Sequence, residues 1–185
     1  MEEVLIGTVL GDGYLEPHGK GVRLEVMHST KQEAYIKWKR EKLLGLRPSP
    51  IHYCAVGKYT ACRFVTRIHP HLSVLREMFY KNGRKIVPEN IEELLTSPQS
   101  LAVWFMDDGT SDKRYKQILF ETQAFSIPEI ERLQRMLWLN FKVKAGIIKS
   151  GVGQGLRLHV PIRESKKLIQ IIEPYVIPEM KHKLP

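Results

Sequence analysis

The sequence predicts an α+β fold built from two similar halves, each running helix, two strands, helix, two strands, helix. Two segments with the same plan, residues 5–13 and 101–109, each consist of an apolar run closed by Asp-Gly. A lysine just ahead of a proline follows each segment at a similar distance, as Lys85 and Lys183. Agreement at separate landmarks indicates an internal duplication, so each repeat is expected to form the same structural unit.

The first element of each half is the apolar segment itself, and its nearly all-round hydrophobicity predicts a buried helix. A second, amphipathic helix is predicted at residues 32–44 and again at 127–141. Further side chains recur at helical spacing and are expected to pack in the core behind the sheets. They are Leu72, Leu75 and Phe79 in the first half, and Ile127, Ile130, Leu133, Leu137, Phe141, Leu168, Ile169, Ile171, Ile172 and Tyr175 in the second.

Strands are expected between these helices, near residues 14–15, 22–28, 51–56 and 61–68, and near 117–123, 144–149 and 156–160. Polar and apolar side chains alternate along them, as in Arg23 and Glu25 against Leu24 and Val26. Such alternation predicts sheets with one buried face and one polar, basic face.

The halves are predicted to span residues 1–82 and 100–185, joined by a linker at 83–99. This linker contains Pro88 and Pro98 and includes a short helical pattern at 91–95.

The chain of 185 residues has a formal net charge of +9, and this basic excess is divided evenly along it. Residues 1–95 carry 15 Lys and Arg against 11 Asp and Glu, and residues 96–185 carry 14 against 9. An extended basic surface across both halves indicates a polyanionic partner such as nucleic acid. We expect no membrane span, because no apolar run approaches the required ~20 residues. The acidic start, Met1-Glu2-Glu3, resembles no targeting signal and predicts an intracellular protein of a prokaryotic cytoplasm or an organelle matrix.

Cys54 and Cys62 lie symmetrically about Lys58 in a predicted hairpin. A cross-strand disulfide is geometrically conceivable there, but reduced cysteines that contribute to packing are the expected state in an intracellular protein.

The two Asp-Gly pairs indicate a metal centre. A carboxylate in the last turn of a helix faces the negative end of the helix dipole, so Asp12 and Asp108 are unfavourably placed if the two helices pack together. Gly7 and Gly11 would allow that close packing, and Gly13 and Gly109 are expected to be left-handed C-terminal caps. Mg²⁺ prefers oxygen ligands and resolves this charge conflict. Beside a phosphodiester it supports hydrolysis, so the pattern predicts a nuclease, although a single Asp-Gly is usually only a cap.

These segments resemble the paired signature of the LAGLIDADG homing endonucleases, and residues 104–109 (Trp-Phe-Met-Asp-Asp-Gly) resemble the form found in single-chain, intron-encoded members. The similarity extends to residues 85–88 and to 177–185. The resemblance implies a saddle of two four-stranded sheets on the DNA major groove, with the signature helices at its centre. It also implies Mg²⁺-dependent cleavage of both strands of a long, asymmetric target, with Mn²⁺ as a possible substitute metal.

The resemblance assigns roles to particular residues. Asp12 and Asp108 become the metal-binding acids, with the carbonyls of Gly11 and Asp107 as further ligands. The remaining active-site positions fall on Lys85 and Lys183, expected beside the scissile phosphate, and on His28 and Gln123, expected to position water. For His28, a surface histidine at the end of a strand is an equal alternative.

The polar strand faces and neighbouring loops supply candidate DNA contacts. Arginine, glutamine and glutamate can read base edges, and loop lysines can contact phosphates. The candidates are Lys20, Arg23, Glu25, Lys58, Arg63, Arg67, Lys113, Arg114, Lys116, Gln117, Glu121, Arg157 and His159.

Three functions remain open at this point. The first is a monomeric double-strand DNA endonuclease, since duplication within one chain supplies the two-fold symmetry. The second is a maturase that binds its host intron RNA, and the third is a non-catalytic DNA-binding regulator. Retention of both Asp12 and Asp108 favours the endonuclease, because binding alone requires neither acid.

Overall fold

The computed structural model describes residues 1–112, 114, 116–150 and 155–185. Its α-helices are α1 (Glu2–Leu10), α2 (Glu33–Lys42), α3 (Pro70–Phe79), α4 (Ile91–Leu94), α5 (Pro98–Asp108), α6 (Ile127–Phe141) and α7 (Ile162–Ile172). Its strands are β1 (Tyr14–His18), β2 (Gly21–Ser29), β3 (His52–Val56), β4 (Tyr59–Val65), β5 (Tyr80–Lys81), β6 (Arg84–Lys85), β7 (Gly109–Asp112), β8 (Gln117–Phe120), β9 (Gly146–Lys149) and β10 (Leu156–Val160). A 3-10 helix, Pro178–Lys183, lies near the end of the chain.

The strands form two four-stranded antiparallel sheets with the same order, β1-β2-β4-β3 and β7-β8-β10-β9. This identity of order confirms the predicted α+β fold and its duplication. The hairpin of β5 and β6 is additional and lies across the predicted boundary at residue 82. Strand β7 was not predicted, because Thr110-Ser111-Asp112 carries no apolar alternation.

Each sheet has one buried face, as the alternation predicts. On β2 and β4, Leu24, Val26 and Phe64 are completely buried, whereas Arg63 on the opposite face is exposed. Helices α2, α3, α6 and α7 cover the buried faces. The prediction that Ile127 and Tyr175 pack in the core is wrong, since Ile127 is 53% exposed and Tyr175 is 40% exposed. Ile127 is the first residue of α6, and Tyr175 lies in a 3-10 turn beyond α7, so neither follows the helical stripe.

Helices α1 and α5 pack directly against each other at the centre of the molecule, and their apolar side chains are almost completely buried. Their close approach depends on Gly7, because a Cβ atom there would lie 2.5 Å from the carbonyl oxygen of Ser100 and 2.7 Å from Cβ of Val103. The predicted left-handed caps are wrong, since Gly109 has φ −78° and Gly13 is not among the glycines with positive φ. Both glycines are instead required because a side chain would not fit. At Gly13 a Cβ atom would lie 2.6 Å from the carbonyl oxygen of Thr8, and at Gly109 it would lie 2.4 Å from the carbonyl oxygen of Phe105.

The two cysteines are free thiols on opposite faces of the hairpin formed by β3 and β4. Cys54 pairs across the hairpin with Ala61, and Cys62 pairs with Tyr53. The hairpin is therefore centred between residues 57 and 58 and not on Lys58 as predicted. In this register the two cysteines are not opposite each other. Within the described part of the chain, no helix combines the length and apolar character needed to cross a bilayer.

Candidate functional site

The C-terminal ends of α1 and α5 bring the two predicted acids near enough for the charge of Asp12 to act on Asp108, although Asp108 is outside the group of close ligand atoms formed by Asp12, His28 and Asp107. Asp12 follows α1 by two residues, and Asp108 is the last residue of α5. Burial and the neighbouring Asp107 carboxylate raise the pKa of Asp12 from 3.8 to about 6. Burial, followed by the charges of Asp107 and Asp12, raises the pKa of Asp108 to about 8. Both shifts have the direction that the sequence predicts, because ionising either carboxylate places negative charge beside like charges in a poorly solvated site.

Lys85 contacts the chain just beyond α1, and Lys183 contacts the last turn of α5. The Lys85 ammonium donates to the carbonyl oxygens of Gly11 at 2.6 Å and Gly13 at 2.7 Å. The Lys183 ammonium donates to those of Met106 at 2.6 Å and Asp107 at 2.9 Å. Both lysines therefore place positive charge at a helix C-terminus, where the dipole favours it. Burial lowers the pKa of each ammonium, while the surrounding carboxylates raise it.

Asp107 is held by a buried network that the sequence analysis missed. Its carboxylate accepts hydrogen bonds from the Lys39 ammonium at 2.6 and 2.8 Å and from the Tyr35 hydroxyl at 2.8 Å. The side chains of Lys39 and Asp107 are both 0% exposed. The available signal was the position of Lys39 on the buried stripe of α2, which also contains Tyr35 and Ile36. A lysine on such a stripe requires a buried partner.

His28 lies beside Asp12 at the buried end of β2. Its Nδ1 is 3.1 Å from Gln32 Oε1 and 3.5 Å from Asp12 Oδ2, and its Nε2 is 3.4 Å from the Lys39 ammonium. Because an ammonium only donates, Nε2 accepts and Nδ1 carries the proton. Burial and the Lys39 charge lower the pKa of His28 to about 4, so the ring is neutral near pH 7.

Gln123, the predicted counterpart of His28, is arranged differently. Its amide donates to Glu121 at 2.5 Å and to the Ser150 hydroxyl at 3.3 Å. Glu121 in turn lies beside the second acid, since its N–H donates to the Asp108 carbonyl at 2.9 Å. Gln123 is therefore connected to the Asp108 site through Glu121, whereas His28 approaches its acid directly.

The donor set at this point suits a hard divalent cation. Asp12, His28 and Asp107 offer ligand atoms that lie within 4.8 Å of one another. The contacts of Asp107 and the Nδ1 proton of His28 leave the Asp12 carboxylate, 43% exposed, as the most accessible of these donors. Carboxylate and carbonyl oxygens are typical Mg²⁺ ligands, and a cation there would offset the charge that raises both pKa values.

The predicted DNA contacts on strands lie on the polar faces of the two sheets. Several are joined across strands: Arg23 donates to Glu16 at 2.5 Å, Arg157 donates to Glu121 at 2.8 Å, and Arg63 lies 3.5 Å from Glu25. His159 Nε2 lies 2.8 Å from Gln117 Oε1. These pairs hold the long side chains in defined positions on each face.

The loop candidates lie at the ends of the sheets. Lys20, Lys58, Arg114 and Lys116 are exposed in turns, and Lys113 lies outside the described residues. Arg67 lines an open cleft together with Arg23, His18 and Arg47. Arg47 was not predicted, because it lies in a loop without a strand or helix pattern, and it adopts a left-handed conformation with φ 51°.

A sequence model of the LAGLIDADG DNA endonuclease family matches residues 2–168. The chain belongs to this family. It is 28% identical over 199 residues to the cytochrome b mRNA maturase bI2 of Debaryomyces hansenii, covering 100% of this chain and 73% of that protein. It is 27% identical over 204 residues to the probable intron-encoded endonuclease 1 of Wickerhamomyces canadensis, covering 99% and 83%.

Solved structures share the fold of this LAGLIDADG chain. The homing endonuclease I-WcaI bound to its DNA recognition sequence superposes with a TM-score of 0.86 at 28% identity, covering 100% of this chain and 85% of that one. I-DmoI in complex with DNA and Mn superposes with a TM-score of 0.57 at 15% identity, covering 92% and 94%, a level that shows the fold alone. Together these matches identify the saddle of two sheets around central signature helices.

Proposed function

We propose that this chain is a homing endonuclease that hydrolyses phosphodiester bonds in both strands of a long, asymmetric DNA target with Mg²⁺. The observation that carries the proposal is the meeting of Asp12, Asp108, Lys85 and Lys183 at two helix ends between two basic sheet faces. A binding protein would not need carboxylates whose ionisation is so unfavourable.

The acids and lysines have complementary roles. Asp12 and Asp108 would hold the metal, and the carbonyl oxygens of Gly11 and Asp107 would become further ligands on release of their hydrogen bonds from Lys85 and Lys183. When bound, Mg²⁺ supplies an activated water and stabilises the charge of the leaving oxygen, and Mn²⁺ is an expected substitute. Lys85 and Lys183 lie within 3 Å of the helix-end carbonyls and can offset negative charge that develops on the scissile phosphate.

Positioning of the attacking water is assigned to the polar groups beside each acid. Neutral His28 has its Nδ1 proton directed between Gln32 and Asp12, so it can orient a water near the first acid. Gln123, through Glu121, would act near the second acid.

Target recognition is assigned to the two sheet faces. Guanidinium groups at Arg23, Arg63 and Arg157 can read guanine, and the carboxylate and amide partners can read cytosine and adenine. Because the faces carry different side chains, the two half-sites of the target would differ in sequence. The exposed loop lysines would add phosphate contacts that weaken with salt.

Two solved structures of the same fold support these assignments. I-WcaI was solved on its DNA recognition sequence, and I-DmoI was solved with DNA and Mn. We further propose an intracellular monomer whose halves, residues 1–82 and 100–185, are joined by residues 83–99, since the packing of α1 on α5 supplies the two-fold arrangement within one chain.

The proposal is tested by incubating the protein with a randomised target library and Mg²⁺, then sequencing the ends produced. We expect a single long consensus cut in both strands. Asp12→Asn and Asp108→Asn should abolish double-strand cleavage of that consensus and retain binding, with exposed Glu41→Gln as the matched control. Wild-type double-strand cleavage by either aspartate variant would contradict the metal assignment.

A maturase is the second candidate, and the 28% identity to the bI2 maturase over the whole chain favours it. It would bind host intron RNA and assist splicing, with or without cleaving DNA. In vitro splicing of the host intron separates the two functions, because a maturase accelerates splicing even when Asp12 and Asp108 are both replaced by Asn.

A further inference from the structure

Among the differences between the signature segments of the two halves, two concern polar groups, although the sheets match strand for strand. Aligning Asp12 with Asp108 places Gly11 opposite Asp107 and Thr8 opposite Trp104. Each difference introduces a polar group that contacts one of the two acids.

Asp107 fixes the first acid from across the interface between α1 and α5. Its Oδ2 accepts the backbone N–H of Asp12 at 3.1 Å, while Lys39 and Tyr35 hold the same carboxylate in place. Since the Lys39 and Asp107 side chains are completely buried, this carboxylate has no freedom to rotate into solvent.

Lys39 also reaches Asp12 by a second route. Its ammonium donates to His28 Nε2 at 3.4 Å, which leaves the Nδ1 proton of that ring between Gln32 Oε1 at 3.1 Å and the Asp12 carboxylate at 3.5 Å. One buried lysine therefore orders both the backbone and the side-chain surroundings of the first acid.

The second acid is held by an unrelated group. The Trp104 indole N–H donates to Asp108 Oδ2 at 3.1 Å, and the indole is stacked on Phe120 with ring centroids 4.1 Å apart. Helix α6, which corresponds to α2, contains no lysine, and Gly11 offers no carboxylate. At the position matching Trp104, the Thr8 hydroxyl is buried with no partner among the residues that the structure describes.

We propose that Lys39 and Asp107 are positioning residues for Asp12, whereas Trp104 is the positioning residue for Asp108. It follows that the two DNA strands depend on different buried groups and can be impaired separately. This inference rests on the proposed endonuclease function, with each acid serving one strand.

Metal-free protein tests the positioning directly by ¹H–¹⁵N correlation spectra. In Lys39→Met/Asp107→Gly, the Asp12 amide signal should shift upfield as its carboxylate acceptor is lost, while the Trp104 indole signal stays in place. In Trp104→Phe, the Asp12 amide signal should stay in place. Lys37→Met, on the exposed side of α2, and Trp138→Phe, at an exposed position, are the matched controls. An unchanged Asp12 amide in the double variant would overturn the proposal.

Strand-specific cleavage supplies the second readout, on a duplex labelled differently on each strand. The double variant should slow one strand by about tenfold or more, as expected for a misplaced reacting group, and Trp104→Phe should slow the other. Equal slowing of both strands, or slowing of the same strand by both variants, would overturn the proposal. If the double variant does not fold, Trp104→Phe and Tyr35→Phe, which removes one hydrogen bond to the Asp107 carboxylate and leaves the ion pair in place, still decide it. If wild-type protein cuts no DNA, the endonuclease proposal fails, whereas the amide signals still report positioning.

Discussion

Replacing Asp108 by Asn should stabilise the metal-free protein while removing its cleavage activity. The Asp108 carboxyl has its pKa raised from 3.8 to about 8 by burial and by two neighbouring aspartates. Between these values the unfolded chain has lost this proton and the folded chain retains it. The folded state therefore binds more protons, and the free energy of unfolding decreases as pH rises through this range.

The size of the effect follows from the shift. At 1.36 kcal/mol per pH unit, a rise from 3.8 to about 8 corresponds to an upper limit of about 5 to 6 kcal/mol above pH 8. Solvent relaxation around a partly exposed carboxylate reduces this value, so we expect Asp108→Asn to be more stable than wild type by about 2 kcal/mol at pH 8. Near pH 4 the difference should vanish, because Asp108 is then protonated in both states for much of the time.

Urea unfolding at several pH values between 4 and 9, in the presence of EDTA, measures this difference. Glu41→Gln is the control, because it replaces an exposed carboxylate on α2. Added Mg²⁺ should stabilise wild type and narrow the gap. This expectation is refuted if the difference in free energy of unfolding does not grow with pH. It is also refuted if Asp108→Asn is less stable than wild type at pH 8, because the ionised Asp108 carboxylate would then not be destabilising.

Three further outcomes are expected. Magnesium affinity, measured by calorimetry, should increase from pH 6 to pH 8, because binding must displace protons from Asp12 and Asp108, whose pKa values are about 6 and about 8; a pH-independent affinity would contradict this. Lys85→Met should slow single-turnover cleavage with little loss of DNA affinity, because its ammonium contacts helix-end carbonyls and not a sheet face; a loss in affinity alone would reassign it to DNA binding. Gly7→Ala should reduce the free energy of unfolding by roughly 1–3 kcal/mol in a denaturant titration, because its Cβ would overlap α5. Gly146→Ala, with its nearest neighbour atom 3.9 Å away, should change stability little.

The repeating features of the fold could be predicted because they are local. Alternation along β2 and β4 follows from one buried sheet face, and the doubled Asp-Gly segments place both acids at helix ends. By contrast, β7 has no apolar pattern, because its short strand completes a sheet edge with polar side chains. Its pairing is decided by the neighbouring strand.

The contacts of the site were harder to predict because they join distant parts of the chain. Lys39 and Asp107 are 68 residues apart, and only the tertiary fold brings their side chains together. The glycines that follow the two acids were expected to adopt left-handed backbone angles. They are needed instead because a side chain at either position would overlap the preceding helix. Sequence periodicity carries no information on contacts between distant segments or on how closely two backbones pack.

The buried pair of Lys39 and Asp107 makes the two halves non-interchangeable. In a dimer of two first halves, each buried Lys39 would lack an aspartate partner. In a dimer of two second halves, each buried Asp107 would lack a lysine partner. Removing one partner of a buried ion pair is strongly destabilising, so each homodimer of halves would be penalised at its central interface. The Lys39–Asp107 pair therefore requires one copy of each half, and a single polypeptide supplies them in equal number.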